Sequence, residues 1–405
     1  MRTRRVLFFA ESVTLAHVAR PLALAAGLDP GSFDVFVASD ERYRRFAPSA
    51  RWLGLTSIDS AQFLGSLAAG KPVYDTATLR AYVRDDLALI EKVKPDLVVG
   101  DFRLSLSVSA RLAGVPYAAI SNAYWSPYTA RKAYPMPVLP ITRYLPLGVA
   151  EALFRLVRPF AFKSHCAPLN TVRREHGLPS LGTDVRTVYS DADHVLFADS
   201  ERLFPTVDLP ASHRYLGPIV WSPPVAQPDW WNRLPSGKPV IYLTLGSSGQ
   251  ASLSRLVMDA LADLSVTVVA SMAGAPPAGA APANAFVADY LPGTAAAARA
   301  CLVICNGGSP TSHQALAAGV PVLGIASNMD QFLNMQAIVE ANAGAVMRAD
   351  RVRPTILRSE VQRLLAADAV HRSAAALAGE HQPSVAPRRF ADFARAVVAQ
   401  TPAGW

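Results

Sequence analysis

Cysteine is scarce in this sequence, with three residues among 405, Cys166, Cys301 and Cys305, and no CxxC pair. An odd, scattered set predicts neither a disulfide framework nor a zinc site, and it fits a reducing cytoplasm. No apolar run reaches the roughly eighteen residues that a membrane-spanning helix needs. The first apolar run ends at Glu11, too early for a signal peptide, so we interpret residues 6–10 as a buried strand.

Charge is also sparse, because charged residues make up 17% of the chain while 51% of its residues are hydrophobic. This composition excludes extensive disorder, and a length of 405 residues suits two domains of nearly equal size. The formal net charge of +8 is compatible with nucleic acid, an anionic membrane surface or a phosphorylated ligand as partner. No helix-turn-helix signature or basic motif interleaved with aromatic residues is found, so we predict no nucleic-acid partner.

Short apolar runs alternate with helical patterns in both halves, which predicts an α/β protein with two parallel sheets covered on both faces. We assign residues 1–220 to a first Rossmann-like domain, 221–237 to a proline-rich linker and 238–384 to a second Rossmann-like domain. Residues 385–405 are predicted to form a helix with one apolar stripe. The predicted strands are residues 6–10, 33–39, 97–100, 117–121 and 195–198, followed by 240–245, 266–270, 286–288, 302–305 and 320–325.

Two titratable residues follow predicted strands of the first half. His17 lies after the first strand, near the start of a helix, and Asp101 directly follows a later strand. Ligands of open α/β folds bind at the carboxyl ends of parallel strands. The positive end of a helix dipole disfavours a protonated imidazole, so His17 would be neutral, as a general base must be. A carboxylate such as that of Asp101, bonded to the other ring nitrogen, would fix the tautomer of the imidazole. Taken singly, both residues are more simply ordinary loop residues.

Two small-residue turns of the second half are typical of phosphate binding. In the turn that begins at Asn306 we predict Ser309 as a helix N-cap and Pro310 as the first helical residue, with unpaired N–H groups facing an anion. Each turn alone also fits an ordinary strand-to-helix connection. The residues of the two turns are Gly246, Ser247 and Ser248, and Asn306, Gly307, Gly308, Ser309 and Thr311.

Polar side chains also follow the predicted strand 320–325. Asp330 and Gln331, with Asn334 one turn later, could hold several hydroxyls of a polyol in fixed geometry. The alternative is that Asp330 is only the N-cap of the helix that follows.

The stretch from Tyr134 to His176 is rich in Pro, Leu and Phe, and between Arg143 and Glu175 it has six basic residues against two acidic ones. Apolar groups beside Arg and Lys suit an anionic lipid surface, which predicts a peripheral membrane contact. A helical cover over an apolar substrate cleft is the simpler interpretation.

Several short motifs occur in order between residues 287 and 347. They are Asp289-Tyr290-Leu291-Pro292, Gly307-Gly308 with Thr311, Ala315-Leu316, Gly319-Val320-Pro321 and Asp330-Gln331 with Asn334. This series resembles the nucleotide-sugar-binding half of the UDP-glycosyltransferase superfamily, and its bacterial macrolide-type members in particular. In the first half, His17 matches the position of the family's catalytic base and Asp101 that of its partner. The resemblance implies an α/β protein of GT-B fold, two Rossmann-like parallel-sheet domains facing across a cleft, with the terminal helix crossing back to the first.

The resemblance further implies an inverting, metal-independent glycosyltransferase with His17 as general base and Asp101 as its support. It would move a sugar from a nucleotide-diphosphate donor, with UDP or dTDP expected, to an apolar small molecule or a lipid, and no further cofactor is expected. A cytoplasmic location is expected, with membrane contact as an open alternative. The predicted donor-binding residues are Gly246, Ser247, Ser248, Tyr290, Leu291, Asn306, Gly307, Gly308, Ser309, Thr311, Gln314, Asp330 and Gln331, and the predicted acceptor-binding residues are Thr14, Asn122, Tyr124, Tyr134 and Phe154.

Three positions depart from the family pattern. Asn306 stands where a histidine usually precedes the two glycines, Gln314 where a glutamate accepts from ribose hydroxyls, and Ala16 where a glycine precedes the catalytic histidine. Asparagine and glutamine still form hydrogen bonds but carry no charge. Two alternatives therefore stay open: a nucleotide-sugar epimerase of the same fold, and a catalytically weak homologue that binds a nucleotide or a partner protein. A dehydrogenase is disfavoured because the turn after the first strand has no GxGxxG.

Overall fold

The computed structural model describes residues 3–246, 251–274 and 279–400, and it divides into two compact units. The first unit comprises residues 3–132, 139–219 and 384–400. The second comprises residues 133–138 and the described part of 220–383. Two residues predicted to bind the donor, Ser247 and Ser248, lie outside the described part of the chain.

One parallel sheet of seven strands organises the first unit. Its strands are β1 (Arg4–Ala10), β2 (Phe33–Ser39), β3 (Arg51–Gly54), β4 (Leu97–Asp101), β5 (Tyr117–Ser121), β6 (His194–Phe197) and β7 (His213–Tyr215). Their order across the sheet is β3-β2-β1-β4-β5-β6-β7. The central strands β1 and β4 are neighbours, so the residues that follow them meet at the same carboxyl edge.

Helices cover both faces of this sheet, which is why its central strands are continuous apolar runs. Residues Val6 to Phe9 of β1 and Leu97 to Val99 of β4 have no exposed surface. The helices are α1 (Ala16–Ala25), α2 (Ser60–Ala68), α3 (Thr76–Val93), α4 (Leu106–Leu112), α5 (Leu147–Glu175) and α6 (Val185–Tyr189). No described helix is long and apolar enough to cross a membrane.

A six-stranded parallel sheet organises the second unit. Its strands are β8 (Val240–Thr244), β9 (Thr267–Ser271), β10 (Ala285–Ala288), β11 (Leu302–Cys305), β12 (Val322–Ala326) and β13 (Gly344–Arg348), in the order β10-β9-β8-β11-β12-β13. Its helices are α7 (Ala251–Leu261), α8 (Gly293–Arg299), α9 (Ser309–Ala317), α10 (Met329–Glu340), α11 (Pro354–Ala366) and α12 (Asp368–Leu377). The last helix, α13 (Val385–Gln400), belongs to the first unit, where the ring of Phe390 packs 5.5 Å from that of Phe8.

The segment 133–138 is bound to the second unit by backbone hydrogen bonds. Arg348, at the end of β13, donates from Nη1 to the carbonyl of Met136 at 2.8 Å and from Nη2 to that of Pro137 at 3.1 Å. The N–H of Val138 donates to the carbonyl of Ser327 at 2.7 Å. The sequence predicted that residues 1–220 form the first domain, but these bonds hold residues 133–138 in the second unit.

The predicted α/β class with two parallel sheets is confirmed, and the strand prediction fails only at sheet edges. Strands β3, β7 and β13 were not predicted, and each is the outermost strand of its sheet. They are short and carry charged residues such as Arg51, Arg214 and Arg348. An edge strand faces solvent on one side and tolerates charged residues, so its apolar run is short or weak compared with that of a central strand.

Candidate functional site

The loops after β1 and β4 bring His17 and Asp101 together. Ala10 of β1 pairs with Asp101 of β4 across the two neighbouring strands. A short loop connects Ala10 to the start of α1. Nδ1 of His17 lies 2.8 Å from Oδ1 of Asp101, whose side chain is fully buried. An ionised carboxylate can only accept, so Nδ1 donates its hydrogen and Nε2 keeps its lone pair. No described residue bonds Nε2, which leaves this nitrogen available to a proton from a ligand.

An aromatic group holds one face of the His17 imidazole. The ring stacks on that of Phe102, with centroids 4.8 Å apart and planes within 16°. Phe102 directly follows Asp101 and has a left-handed backbone with φ of 57°. Its ring also contacts the rings of Phe63, Tyr74 and Tyr189. The imidazole, with its side chain 18% exposed, therefore has a fixed orientation as well as a fixed tautomer.

Arg20 completes the site, although it was not among the site residues predicted from the sequence. Its guanidinium donates from Nε to Oδ2 of Asp101 at 2.8 Å and from Nη2 to Oδ1 at 2.6 Å, a bidentate ion pair with 6% of the residue exposed. Nη2 also lies 3.0 Å from Nδ1 of His17, because both nitrogens donate to the same carboxylate oxygen. The available signal was spacing, since residues 17 and 20 lie on one face of a helix.

Asn122 extends this network away from His17. Its Oδ1 accepts from Nη1 of Arg20 at 2.8 Å, and its Nδ2 donates to Oδ1 of Asp199 at 2.8 Å. Asp199, also fully buried, accepts from the backbone N–H of Ala123 as well. Both the oxygen and the nitrogen of the Asn122 amide therefore form hydrogen bonds inside the protein.

The other predicted acceptor residues lie on different elements of the chain. Tyr124 is 2% exposed, and its ring packs 5.1 Å from that of Phe204. Thr14 is partly exposed in the loop before α1, and Phe154 is partly buried on α5. Tyr134 lies in the segment 133–138 of the second unit.

A second buried ionic cluster anchors the two loops on either side of His17. Arg103 donates to Glu11 at 2.8 Å and to Asp86 at 2.9 Å, and all three side chains are fully buried. Tyr82 donates to Glu11 at 3.1 Å. Burial raises the pKa of the Glu11 and Asp86 carboxyls, although the charge of Arg103 opposes the shift. Because Glu11 follows β1 and Arg103 follows β4, the cluster fixes both chain segments that carry the site.

In the second unit, the turn after β11 is held by its own side chains. Oδ1 of Asn306 accepts from the N–H of Gly308 at 3.0 Å. Gly307 has φ of 83°, and a Cβ there would lie 2.7 Å from Cγ of Met335. The predicted N-cap is wrong by one residue, since Gly308 is the N-cap and Ser309 begins α9. Among described residues none accepts from the backbone N–H of Ser309 or Thr311, so both are available to an anion at this helix N-terminus.

Asn334 and Gln331, both predicted as polyol ligands, form hydrogen bonds within the protein around this turn. Nδ2 of Asn334, fully buried, donates to the carbonyl of Gly307 at 2.8 Å and to Oγ of Ser312 at 2.9 Å. Oε1 of Gln331 accepts from the N–H of Ser327 at 2.8 Å and caps α10 together with Asn328. Asn328 is thus the N-cap, and the alternative that Asp330 caps this helix is wrong.

The remaining predicted donor residues lie around the same edge of the second sheet. Gln314 is 8% exposed and donates from Nε2 to the carbonyl of Trp221, while its Oε1 lies beside Gly293. Leu291 is buried, whereas Tyr290 and Asp330 are partly exposed. Gly246, with φ of 67°, lies next to the Asn306 side chain because β8 and β11 are neighbours. No described group of three or more His, Cys, Asp or Glu side chains is placed to hold a metal ion.

Comparisons with known proteins agree with one another. The family described as erythromycin biosynthesis protein CIII-like, C-terminal domain, matches residues 255–396. The chain is 50% identical over 379 residues to the PGL/p-HBAD biosynthesis rhamnosyltransferase of Mycobacterium bovis, covering 93% of this chain and 84% of the relative. Its fold is similar to the solved glycotransferase of kitacinnamycin, with a TM-score of 0.72 and 21% identity over 98% of this chain and 100% of that one. The glycosyltransferase VinC in complex with dTDP gives a TM-score of 0.66 and 19% identity over 98% and 100% of the two chains.

Proposed function

Because the chain belongs to the glycosyltransferase family that includes the PGL/p-HBAD biosynthesis rhamnosyltransferase, we propose that it is an inverting, metal-independent member with His17 as general base. The observation that carries this proposal is the 2.8 Å hydrogen bond between His17 and the buried Asp101. It leaves the lone pair of Nε2 directed away from the carboxylate, as a base acting on an acceptor hydroxyl requires.

In the proposed reaction, Nε2 of His17 takes the proton of an acceptor hydroxyl as its oxygen bonds to the anomeric carbon of the sugar. The bond between that carbon and the diphosphate oxygen breaks on the opposite side, so the anomeric configuration inverts. Asp101 stabilises the imidazolium that forms, and Arg20 fixes the position of Asp101 by two hydrogen bonds.

The nucleoside diphosphate leaves with the electrons of the broken bond, and its growing negative charge needs hydrogen-bond donors. The N–H groups of Ser309 and Thr311 at the start of α9, with the helix dipole behind them, supply these donors in the proposal. Asn334 supports them indirectly, since it fixes the carbonyl of Gly307 and the hydroxyl of Ser312. This scheme assigns no step to a metal ion.

The comparisons suggest which substrates to test first. One solved neighbour holds dTDP, and the Mycobacterium bovis relative is named a rhamnosyltransferase, so dTDP-rhamnose is the first donor that we propose, with UDP-sugars next. The relative's place in PGL/p-HBAD biosynthesis supports an apolar small molecule or a lipid as acceptor. The aromatic rings around Phe102, next to His17, suit such an acceptor.

A thermal-shift panel of UDP-, dTDP- and GDP-sugars tests the donor, because a ligand of the folded state raises Tm by mass action. A saturating donor is expected to raise Tm by about 5 °C or more. The same donor is then incubated with and without apolar hydroxyl-bearing acceptors, and the product anomer is assigned by NMR. Absence of any shift with UDP- or dTDP-sugars contradicts the proposed donor. Conversion of the donor without an acceptor would favour the epimerase.

Asn306→His is expected to keep donor affinity or to tighten it up to about tenfold, because a protonated imidazole adds a charge-assisted bond to the diphosphate. The imidazole can also replace the acceptor that Asn306 offers to the N–H of Gly308. The Kd for the nucleoside diphosphate, measured by calorimetry, checks this result. Asn232→His, at an exposed position of the same unit, is the matched control and should leave Kd unchanged. A large loss of affinity in Asn306→His alone would assign another task to this position.

A further inference from the structure

Helix α5 presents an apolar stripe to solvent. Leu156 is 72% exposed and Phe160 is 74% exposed, and Tyr144, just before the helix, is 82% exposed. At 3.6 residues per turn the side chains of the stripe fall within about 100° of the helix circumference. They extend over about 17 Å along the axis. The α5 stripe consists of Val149, Leu153, Leu156, Val157 and Phe160.

The stripe is not part of the hydrophobic core that α5 helps to form. The core face of the helix carries Phe162, Cys166, Leu169 and Val172, which pack in one cluster with side chains of α3 and α6. Counted at 100° per residue, that face lies on the opposite side of the helix from the stripe. A helix that is apolar on two opposite faces needs a second apolar environment, and a contiguous exposed apolar surface marks an interaction site.

Cations accompany the stripe. Arg143, just before the helix, and Lys163, at one side of the stripe, are exposed, and no described acidic side chain forms an ion pair with either of them. Glu151 is the single acidic residue between Arg143 and Arg174 in the sequence. The surroundings of the stripe are thus positively charged as well as apolar.

The positive charge around the α5 stripe favours a lipid surface over a second copy of the chain as its partner. In a symmetric dimer the same patch meets itself, so the cations of one copy would face those of the other without acidic partners. An anionic bilayer offers both complementary parts, headgroup charge for Arg and Lys and an acyl boundary for Leu and Phe. An exposed tyrosine such as Tyr144 suits the headgroup level.

We propose that the α5 stripe and its flanking cations bind the surface of an anionic lipid bilayer. The helix lies in the plane of the interface, with Leu156 and Phe160 inserted at the acyl boundary and Arg143 and Lys163 at the headgroups. This binding requires neither the donor, nor the acceptor, nor His17. The proposal is therefore tested independently of the proposed reaction.

Vesicle co-sedimentation of the full chain tests the proposal. The wild type is expected to bind vesicles that contain phosphatidylglycerol and to bind pure phosphatidylcholine vesicles far more weakly, with a preference that falls as salt rises. The double variant Leu156→Gln/Phe160→Gln should lose at least about tenfold in partition coefficient, since two apolar side chains no longer enter the interface. Arg143→Gln/Lys163→Gln should lose binding mainly at low salt.

Ile356→Gln is the matched control, because Ile356 is an exposed apolar residue on α11 of the second unit. It should bind vesicles as the wild type does, and circular dichroism with thermal melts checks that every variant is folded. No binding of the wild type to anionic vesicles overturns the proposal, as does an equal loss in Ile356→Gln. A wild-type dimer that Leu156→Gln/Phe160→Gln dissociates would assign the stripe to a second copy of the chain.

Discussion

His17→Ala is expected to lose sugar transfer by a factor of about 10² to 10⁴, the usual contribution of a positioned general base. Donor binding should change little, because the groups proposed to hold the diphosphate, at the start of α9, belong to the other unit. Single-turnover transfer rates and the Kd for the nucleoside diphosphate measure the two effects separately. A loss confined to transfer would identify His17 as the group that takes the acceptor proton.

Two further variants sharpen this experiment. His176→Ala removes an exposed histidine beyond the end of α5 and should leave transfer unchanged. Asp101→Asn keeps the shape of the partner but lets Nδ1 lose its fixed hydrogen, so it should also lose transfer by at least about tenfold. Turnover in His17→Ala equal to that of the wild type would refute the role of the imidazole, whatever donor is used.

Arg20→Met is expected to lower the free energy of unfolding of the first unit by about 3–5 kcal/mol, because it leaves Asp101 buried with its principal cation removed. Asn122 loses the donor to its Oδ1 in the same step. Transfer should fall as well, since the carboxylate that orients His17 is no longer held. Chemical denaturation measures the loss of stability, and transfer at a temperature where the variant is folded measures the loss of function.

A double variant and a control separate stability from function. Arg20→Met/Asp101→Asn removes the unpaired carboxylate, so it should recover part of the lost stability but none of the transfer. Arg51→Met breaks an exposed ion pair with Asp34 and should cost less than about 1 kcal/mol. If Arg20→Met unfolds at the same denaturant concentration as Arg51→Met, the buried ion pair is not what holds this site together.

The family and the GT-B fold were predictable from the sequence because their signals are local. The buried strands at the centre of each sheet are continuous apolar runs, and the motif series from Asp289 to Asn334 lies within one region of the chain. The comparisons confirm the macrolide-type UDP-glycosyltransferase resemblance and the glycosyltransferase activity. The pairing of His17 with Asp101 was implied by the family resemblance, and it agreed with the prediction that both residues follow parallel strands at the carboxyl edge of one sheet.

Side-chain roles that depend on distant partners were not predictable. Arg20 has no local signal for burial, and its partners Asp101 and Asn122 lie more than eighty residues away. Asn334 and Gln331 match a ligand-binding motif by type, and nothing in the sequence indicates that their side chains also bond to the turn and the helix around the site. A polar residue that binds a ligand and a polar residue that only supports a ligand-binding residue look alike in the sequence.

The short segment 133–138 also bears on how this protein can be divided. The backbone passes between the two units four times, at residues 132/133, 138/139, 219/220 and 383/384. A cut at the proline-rich linker would give an amino-terminal fragment without α13 and a carboxyl-terminal fragment without the carbonyls that Arg348 binds. Neither half-protein would contain a whole folding unit. Exchange of modules between relatives at the linker alone would therefore also transplant α13, and it would mismatch the segment that Arg348 anchors.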